Sequence, residues 1–309
     1  MKLLVGLCAG IFWALDTVIL NLCLGGGTYG LPQSFAVFLP LVVTCLHDLC
    51  SAAYLLLFQG GKKRLAGVRA ALFTREGRFV MLGALLGGPV GMAGYVSAVR
   101  YLGAANTAMI SALFPAVGSV MAFLFLKERL SAGQTTGLLL SVAGMALMGG
   151  KMAGTENGAL LPGVCCALLC VFGWAGEVVI CSYGMKSGVL DNEQALTIRQ
   201  ITSALFYFCI ILSIIRGHAA AFRMMASSGM PLIAAAALAG TVSYLCYYLT
   251  IRRLGASVAM ALNVTYAAWA IVLEGLLLHE ARSLRECVCG VIIVGGALLS
   301  ALLAGKAGY

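Results

Sequence analysis

Two short stretches of the sequence repeat one combination of side chains, an indole followed three residues later by a carboxylate. Trp13 precedes Asp16 in the first stretch, and Trp174 precedes Glu177 in the second. Residues three apart lie on one face of a helix, so each stretch would present a ring and an acid together. Each stretch also lies inside a long apolar run, where a carboxylate is costly and usually functional. An aromatic face with a carboxylate at its edge suits a quaternary ammonium cation.

Tyrosines accompany both stretches. Tyr95 and Tyr247 occupy matching positions in an internal repeat of the chain, at comparable depths in their apolar runs. If they share a pocket with the two tryptophans, each ring would contribute about 0.5–2 kcal/mol to holding a desolvated cation. The alternative is ordinary packing, which is common for aromatic residues in membrane helices. Tyr244 and Tyr248 lie one turn apart around Tyr247, and the sequence leaves open which of the three points inward.

The composition places these residues in a membrane. The chain has 309 residues, of which 61% are hydrophobic and 10% charged, and its mean hydropathy is +1.00. A soluble domain is nearer half apolar and a quarter charged. Because lipid offers the backbone no hydrogen-bond partners, apolar runs of about 20 residues predict spanning helices and an all-α integral membrane protein. The ten expected spans run near residues 3–24, 35–58, 79–101, 104–126, 132–150, 159–182, 194–215, 230–251, 255–278 and 286–304.

The Lys and Arg residues predict the orientation in the bilayer. The net charge is +9, but the basic residues lie mostly in short loops, so the positive-inside rule explains them better than a nucleic-acid partner does. With a cytoplasmic N-terminus, thirteen fall inside and six outside, so we expect both termini in the cytoplasm. The inner group is Lys2, Lys62, Lys63, Arg64, Arg69, Arg75, Arg78, Lys127, Arg129, Lys186, Arg252, Arg253 and Lys306. The outer group is Arg100, Lys151, Arg216, Arg223, Arg282 and Arg285.

An internal repeat divides the chain. The tripeptide at residues 102–104 recurs at 254–256, and the segment at 127–131 recurs loosely at 279–283. The division predicts two halves of five spans each. Since five is odd, the halves would lie in opposite orientations, an arrangement that is typical of secondary transporters with a site near the midplane.

With these motifs the chain resembles the drug/metabolite transporter superfamily, in its ten-helix, EamA-type form. The resemblance covers the whole chain, with the first half at residues 1–151 and the second at 159–309. Its best motifs contain Glu128 and Glu280, which the resemblance assigns to the scaffold. Both precede predicted spans, the fifth and the tenth, where a carboxylate can accept hydrogen bonds from free N–H groups.

The paired aromatic residues resemble the choline-importing branch of this superfamily more closely. In that branch, tryptophans of the first and sixth helices and tyrosines of the third and eighth enclose choline. The resemblance implies that Trp13, Trp174, Tyr95 and Tyr247 bind a quaternary ammonium group, which the membrane potential drives inward. Tyr244 is a further candidate. For the acidic partner, Glu177 is the first choice and Asp16 the second.

Several polar residues lie deep in other spans. His47 and Asp48, in the second span, would serve proton coupling or gating, or else form a hydrogen-bonded pair that fixes helix packing. Neighbouring residues on a helix point about 100° apart, which argues against both facing one ligand. Arg199 and Gln200 are either their counterparts in the second half or snorkelling side chains. Asn263 would reach a substrate hydroxyl or a neighbouring helix.

Two other functions would require different residues. An exporter of amino acids or drug-like metabolites would need donors for a carboxylate, and Arg199 is nearly alone in the expected cavity. A membrane-embedded enzyme would need a nucleophile with its base or a metal cluster, yet His47, His218 and His279 are far apart and lack metal-ligand spacing. We therefore expect no enzyme, metal or cofactor, but a transporter of the bacterial inner membrane. The sequence leaves monomer and homodimer open.

Overall fold

The computed structural model describes residues 2–25, 29–31, 33–102, 107, 110–111, 113–148, 160–277 and 283–303. Within these ranges, eight helices are long and apolar enough to cross a membrane, and two apolar helices are shorter. The all-helical class is therefore confirmed for the described residues, whereas the ten-helix count and the inverted repeat stay predictions. Numbered in chain order, the helices are α1 (Lys2–Leu24), α2 (Leu39–Gly61), α3 (Arg75–Ala98), α4 (Phe114–Leu126), α5 (Ala132–Leu147), α6 (Leu160–Lys186), α7 (Asn192–Ile214), α8 (Met230–Leu254), α9 (Ala256–Leu277) and α10 (Leu284–Leu302).

Most boundaries agree with the predicted spans. The helix α4 begins at Phe114, and the first part of its predicted span, near 104–113, lies largely outside the described residues. Two other helices differ for local reasons. The helix α2 begins at Leu39 rather than near residue 35, because Gln33–Phe38 forms a 3₁₀ segment before it. The helix α3 begins at Arg75 rather than near residue 79, because Thr74 caps it. The hydroxyl of Thr74 accepts a hydrogen bond from the backbone N–H of Gly77 at 3.0 Å, which satisfies one free donor of the first turn.

Helices of the first predicted half pack against helices of the second. The α1 and α8 helices contact each other along their length, and Ser243 of α8 donates to the carbonyl of Ala9 in α1 at 2.7 Å. The α3 helix packs on α6 in the same way. At the far side, α5 and α10 meet so closely that a Cβ on Gly137 would lie 2.5 Å from the carbonyl oxygen of Gly296. This packing brings α1, α3, α6 and α8 around one centre.

The helix α3 contains a π-helical turn at Leu86–Met92. Pro89 within this turn has no N–H to donate, which accounts for the local widening of the helix. The hydroxyl of Tyr207 in α7 donates to the carbonyl of Gly88 at 3.2 Å. The helix is therefore locally widened here, and glycines of the same turn allow close packing against α6.

Glu128 caps a different helix from the one expected. Its carboxylate accepts hydrogen bonds from the backbone N–H groups of Ala256 at 2.7 Å and Ser257 at 3.1 Å, at the start of α9. The expectation that it caps the fifth span is wrong, because Ser131 fills that position by accepting from the N–H of Gln134 at 3.1 Å. Glu128 thus joins the end of α4 to the other predicted half. Glu280 lies outside the described residues.

Candidate functional site

A cavity of about 310 Å³ lies at the centre of the bundle. Its walls come from α1, α2, α3, α6, α7, α8 and α9, together with Phe114 at the start of α4. All of the residues that the sequence singled out for binding or coupling line it. These are Trp13, Asp16, His47, Asp48, Tyr95, Trp174, Glu177, Tyr244, Tyr247 and Asn263. The structure thus brings them together, and their role in binding stays a prediction.

One group of aromatic rings surrounds Trp13. The ring of Tyr244 meets Trp13 edge to face, with centroids 5.1 Å apart and planes at 88°. Tyr244 also contacts Tyr247 at 6.4 Å and Tyr248 at 6.2 Å between centroids. All three tyrosines line the cavity, which answers the question of which one points inward. The partner of Trp13 is nevertheless Tyr244, rather than the repeat-matched Tyr247.

A second group surrounds Trp174. Tyr95 stacks on Trp174 with centroids 5.5 Å apart and planes at 27°. Phe114 meets the same indole edge to face at 5.8 Å. The close approach depends on Gly91 of α3, where a Cβ would lie 2.7 Å from Cδ1 of Trp174. The rings therefore form two groups that face one cavity, rather than a single box of four.

Glu177, the first choice for a charge partner, is ion-paired with Arg199. The guanidinium donates from Nε to Oε1 of Glu177 at 2.6 Å and from Nη2 to Oε2 at 3.3 Å. It also donates to the amide oxygen of Gln200 at 2.8 Å and to the hydroxyl of Tyr244 at 3.1 Å. The two charged side chains are only 5% and 8% exposed, so Arg199 does not snorkel. Such a bidentate pair is among the strongest polar contacts in proteins.

Asp16 and Asp48 flank the imidazole of His47. The Nε2 atom of His47 lies 3.2 Å from Oδ1 of Asp16, and its Nδ1 atom lies 3.5 Å from Oδ1 of Asp48. Asp48 also accepts from Nε2 of Gln200 at 2.7 Å and from the hydroxyl of Ser203 at 2.6 Å. His47 turns toward α1 and Asp48 toward α7. Both side chains line the cavity, and the expectation that the two do not face one ligand stays a prediction.

Each acid of the tryptophan motifs rests against a glycine of the other predicted half. A Cβ on Gly87 would stand 1.5 Å from Oε2 of Glu177, so the carboxylate occupies the space of the missing side chain. A Cβ on Gly240 would stand 2.8 Å from Oδ2 of Asp16. Both acids therefore make contacts across the boundary between the halves, and a relative movement of the helices would change these contacts.

The cavity extends toward the end of the bundle where α1 ends and α2 begins. Leu20 and Leu24 line it on α1, and Pro40 and Val43 line it on α2. The opposite end, where α2 ends and α7 begins, carries exposed ion pairs. Lys62 binds Glu193 at 2.9 Å, and Arg64 binds Asp191 and, at 2.9 Å, Glu193. The two ends of the bundle thus differ in chemistry, since one presents apolar side chains to the cavity and the other carries ion pairs.

Comparison with known proteins identifies the family. The profile of the EamA-like transporter family matches residues 1–150 and 161–302. The chain belongs to the EamA-like transporter family. It is 32% identical, over 282 residues, to "Protein LicB" of Haemophilus influenzae, a match that covers 90% of this chain and 89% of that protein. A crystal structure at 19% sequence identity covers 98% of this chain with a TM-score of 0.72, which shows the likeness in fold.

Membership of the EamA-like family makes the protein a multi-pass membrane transporter and not an enzyme. This confirms the family that the sequence resembled, while a role of the central cavity in transport stays a prediction. Inspection of single motifs missed two of the aromatic residues that line this cavity, Phe114 and Tyr266. The signal was present, because the spacing that separates Tyr95 from Tyr247 also separates Phe114 from Tyr266.

Proposed function

We propose that this EamA-like transporter imports choline or a closely similar quaternary ammonium cation across the bacterial inner membrane. The observation that carries the proposal is the meeting of aromatic rings from α1, α3, α6 and α8 with three carboxylates in one cavity. A quaternary ammonium group has no N–H to donate, so ring faces and nearby negative charge must hold it. Several rings at about 0.5–2 kcal/mol each would support micromolar to millimolar binding after the costs of association.

The formal charge of the cavity favours a cation. Asp16, Asp48 and Glu177 contribute three negative charges, and Arg199 contributes one positive charge. His47 can donate from both ring nitrogens to its two carboxylates only when it is protonated. The cavity then carries one net negative charge, and with neutral His47 it carries two. In either state a positively charged substrate offsets the charge of the walls.

The competing function, export of amino acids, lacks a partner for the substrate carboxylate. Arg199 is the only arginine or lysine among the cavity-lining residues that the structure describes. It already donates four hydrogen bonds, to Glu177, Gln200 and Tyr244, out of five N–H groups. A substrate carboxylate could accept two hydrogen bonds from Arg199 only by displacing one of these partners. The geometry therefore favours a simple cation over an amino acid.

Asp16 becomes the preferred charge partner in this proposal. Glu177, preferred from the sequence, has its charge balanced by a bidentate arginine. Asp16 makes a single contact of 3.2 Å to His47 and lies next to Trp13 on α1. Its negative charge therefore lies beside the Trp13 group of rings, Trp13, Tyr244, Tyr247 and Tyr248. A trimethylammonium head would rest between this group and the rings of Trp174 and Tyr95.

The proposed mechanism is alternating access between two inverted halves, residues 1–151 and 159–309, with both termini in the cytoplasm. The cavity then faces the periplasm, and the ion pairs of Lys62 and Arg64 close the cytoplasmic end. An inside-negative membrane potential favours cation entry by about 2.3 kcal/mol per 100 mV, a roughly fifty-fold gradient. Uptake of a monovalent cation thus needs no ATP and no cofactor.

The test compares choline with its neutral isostere, 3,3-dimethyl-1-butanol, in binding to the purified protein. The two molecules share a shape, and only choline carries the charge. Stabilisation against heat by choline, without stabilisation by the alcohol, supports the cation site. Betaine, carnitine, polyamines and amino acids complete the panel. Equal binding of choline and the alcohol, or preferred binding of an amino acid, would favour the alternative function, export of amino acids or drug-like metabolites.

A further inference from the structure

The cavity holds a positive charge of its own, which a cation site does not need for binding. Arg199 is buried beside the rings, and its Cζ lies 4.7 Å from the centroid of Tyr244. A guanidinium on a ring that faces the cavity is expected to oppose a cationic substrate, both by repulsion and by occupying the ring. A buried guanidinium at this position therefore affects which substrates the cavity accepts.

The surroundings hold Arg199 and Glu177 in one arrangement. Gly87 admits the carboxylate against the backbone of α3, since a Cβ there would meet Oε2 at 1.5 Å. Gln200 and Tyr244 accept hydrogen bonds from the other side of the guanidinium, at 2.8 and 3.1 Å. The bidentate pair is therefore braced at both ends and remains electrically neutral as a unit.

The Asp16–His47 contact is different in kind. It consists of one distance of 3.2 Å, and the other imidazole nitrogen lies 3.5 Å from Asp48. Two carboxylates thus share one imidazole, whereas Glu177 has a guanidinium to itself. The uncompensated negative charge of the cavity lies on the side of Asp16 and Asp48. The Trp174 side, with Tyr95 and Phe114, faces a neutral pair.

We propose that the Glu177–Arg199 pair is a charge filter that restricts the cavity to substrates with one positive charge. This inference rests on the proposed function and adds the basis of its selectivity. Because Arg199 balances the charge of Glu177, only the Asp16 side attracts a cation, and with protonated His47 that side carries one net negative charge. The cavity then has no second negative charge for a second positive group. Because four of the five N–H groups of Arg199 already donate to protein partners, a substrate carboxylate finds no bidentate donor. Dications and zwitterions are thereby both disfavoured.

Removal of either Glu177 or Arg199 should change which ligand charge the cavity prefers, in a direction that depends on the residue removed. Arg199→Gln leaves the Glu177 charge unbalanced, which favours a ligand with a second positive group. Glu177→Gln frees the guanidinium, which favours a ligand with a carboxylate. The double variant E177Q/R199Q removes both charges and leaves the net charge of the cavity unchanged. Neutral replacement of a whole buried pair is also tolerated better than removal of one member.

The experiment measures the affinity of three ligands that share the trimethylammonium head. Choline is a monocation, glycine betaine is a zwitterion, and (3-aminopropyl)trimethylammonium is a dication at neutral pH. We expect R199Q to shift the dication-to-choline affinity ratio upward by about tenfold, and E177Q to raise the betaine-to-choline ratio by about tenfold. The double variant should keep the native order of the three ligands.

Glu76→Gln is the matched control, because it removes one negative charge in the first turn of α3 rather than in the cavity. It should leave the ligand order unchanged. A shift in E76Q equal to that in E177Q would overturn the filter, since net charge alone would then explain both. If R199Q does not fold, the comparison of E177Q with the double variant decides.

Two outcomes separate this inference from the proposed function. A native protein that binds choline, with unchanged ligand ratios in R199Q and E177Q, overturns the filter and leaves choline transport in place. A double variant that loses choline preference as E177Q does also overturns it, because Glu177 would then bind the cation directly. A native protein that binds none of the three ligands rejects the proposed function itself, and the filter with it.

Discussion

The carboxylate of Asp16 occupies the space that Gly240 leaves open in α8. A Cβ at this position would lie 2.8 Å from Oδ2 of Asp16 and 3.0 Å from Nε2 of His47. Gly240→Ala is therefore expected to displace both side chains and to weaken choline binding by about tenfold, roughly 1.4 kcal/mol. Titration calorimetry on the purified protein measures the effect. Native affinity in this variant would reject Asp16 as the charge partner.

Gly295→Ala is the control for the glycine replacement. Gly295 lies in α10, and a Cβ there would meet no heavy atom within 4 Å. Choline affinity should be that of the native protein, and stability should be equal or slightly higher because alanine favours a helix over glycine by about 1 kcal/mol.

The two cavity tryptophans are expected to bind the cation through their ring faces. Leucine at Trp13 or Trp174 keeps much of the apolar volume and removes the ring quadrupole. Each change should cost about 1–2 kcal/mol, or roughly five- to thirty-fold in choline affinity. Tyr95→Phe and Tyr247→Phe retain the ring face and should cost much less than leucine at the same positions.

Trp269 provides the matched control for the tryptophan variants. It lies in α9 but is not among the residues that line the cavity. Trp269→Leu should leave choline affinity unchanged even if it lowers the thermal midpoint. Normal choline transport by the leucine variants of both cavity tryptophans would mean that the rings do not form the binding site.

The helices could be predicted because each depends on a local property, an apolar run of membrane length. The candidate site could be predicted in its residue types because the tryptophan–acid spacing recurs. Its pairings could not. The partner of Glu177 follows from the rotation of α7 against α6, and the contact of Tyr244 with Trp13 follows from how α8 crosses α1. The rotation of one helix against another and the angle at which two helices cross cannot be predicted from the sequence of either helix alone.

Contacts between distant segments were missed for the same reason. Glu128 is a plausible cap for the helix that follows it, and only the packed structure brings its carboxylate to Ala256 and Ser257. The role of Gly240 likewise appears only when α1 lies against α8. Repeat spacing carries part of this information, since Gly88 and Gly240 are separated by the same interval as Tyr95 and Tyr247.

The contact of Glu128 with α9 should contribute to stability and not to substrate binding. Glu128→Gln keeps the shape but loses the charge that strengthens the hydrogen bonds from Ala256 and Ser257. We expect a loss of about 1–2 kcal/mol in the free energy of unfolding, because hydrogen bonds to charged groups are worth more than neutral ones. Thermal unfolding with and without choline measures both effects. An unchanged midpoint with weakened choline binding would contradict the scaffold role.

The orientation of the chain is open to direct test by labelling. Single cysteines placed between Lys62 and Arg78 in a cysteine-depleted variant should be protected from a membrane-impermeant maleimide in whole cells, because the basic loop is expected in the cytoplasm. Cysteines near Arg216 and Arg223 should react. Strong labelling of the Lys62–Arg78 loop from outside would overturn the topology and, with it, the direction in which the cavity faces.

The membrane potential should set the rate of uptake, because the proposed substrate carries one positive charge. In liposomes that contain the purified protein, a valinomycin-imposed inside-negative potential of 100 mV should favour choline accumulation by about 2.3 kcal/mol.

A pH gradient imposed without a potential should have little effect if His47 and Asp48 only fix helix packing. His47→Gln tests this point, since it keeps a hydrogen-bonding group beside Asp16 and removes the titratable imidazole. A folded His47→Gln variant that loses a component of uptake driven by the pH gradient would show that transport is coupled to protons through His47.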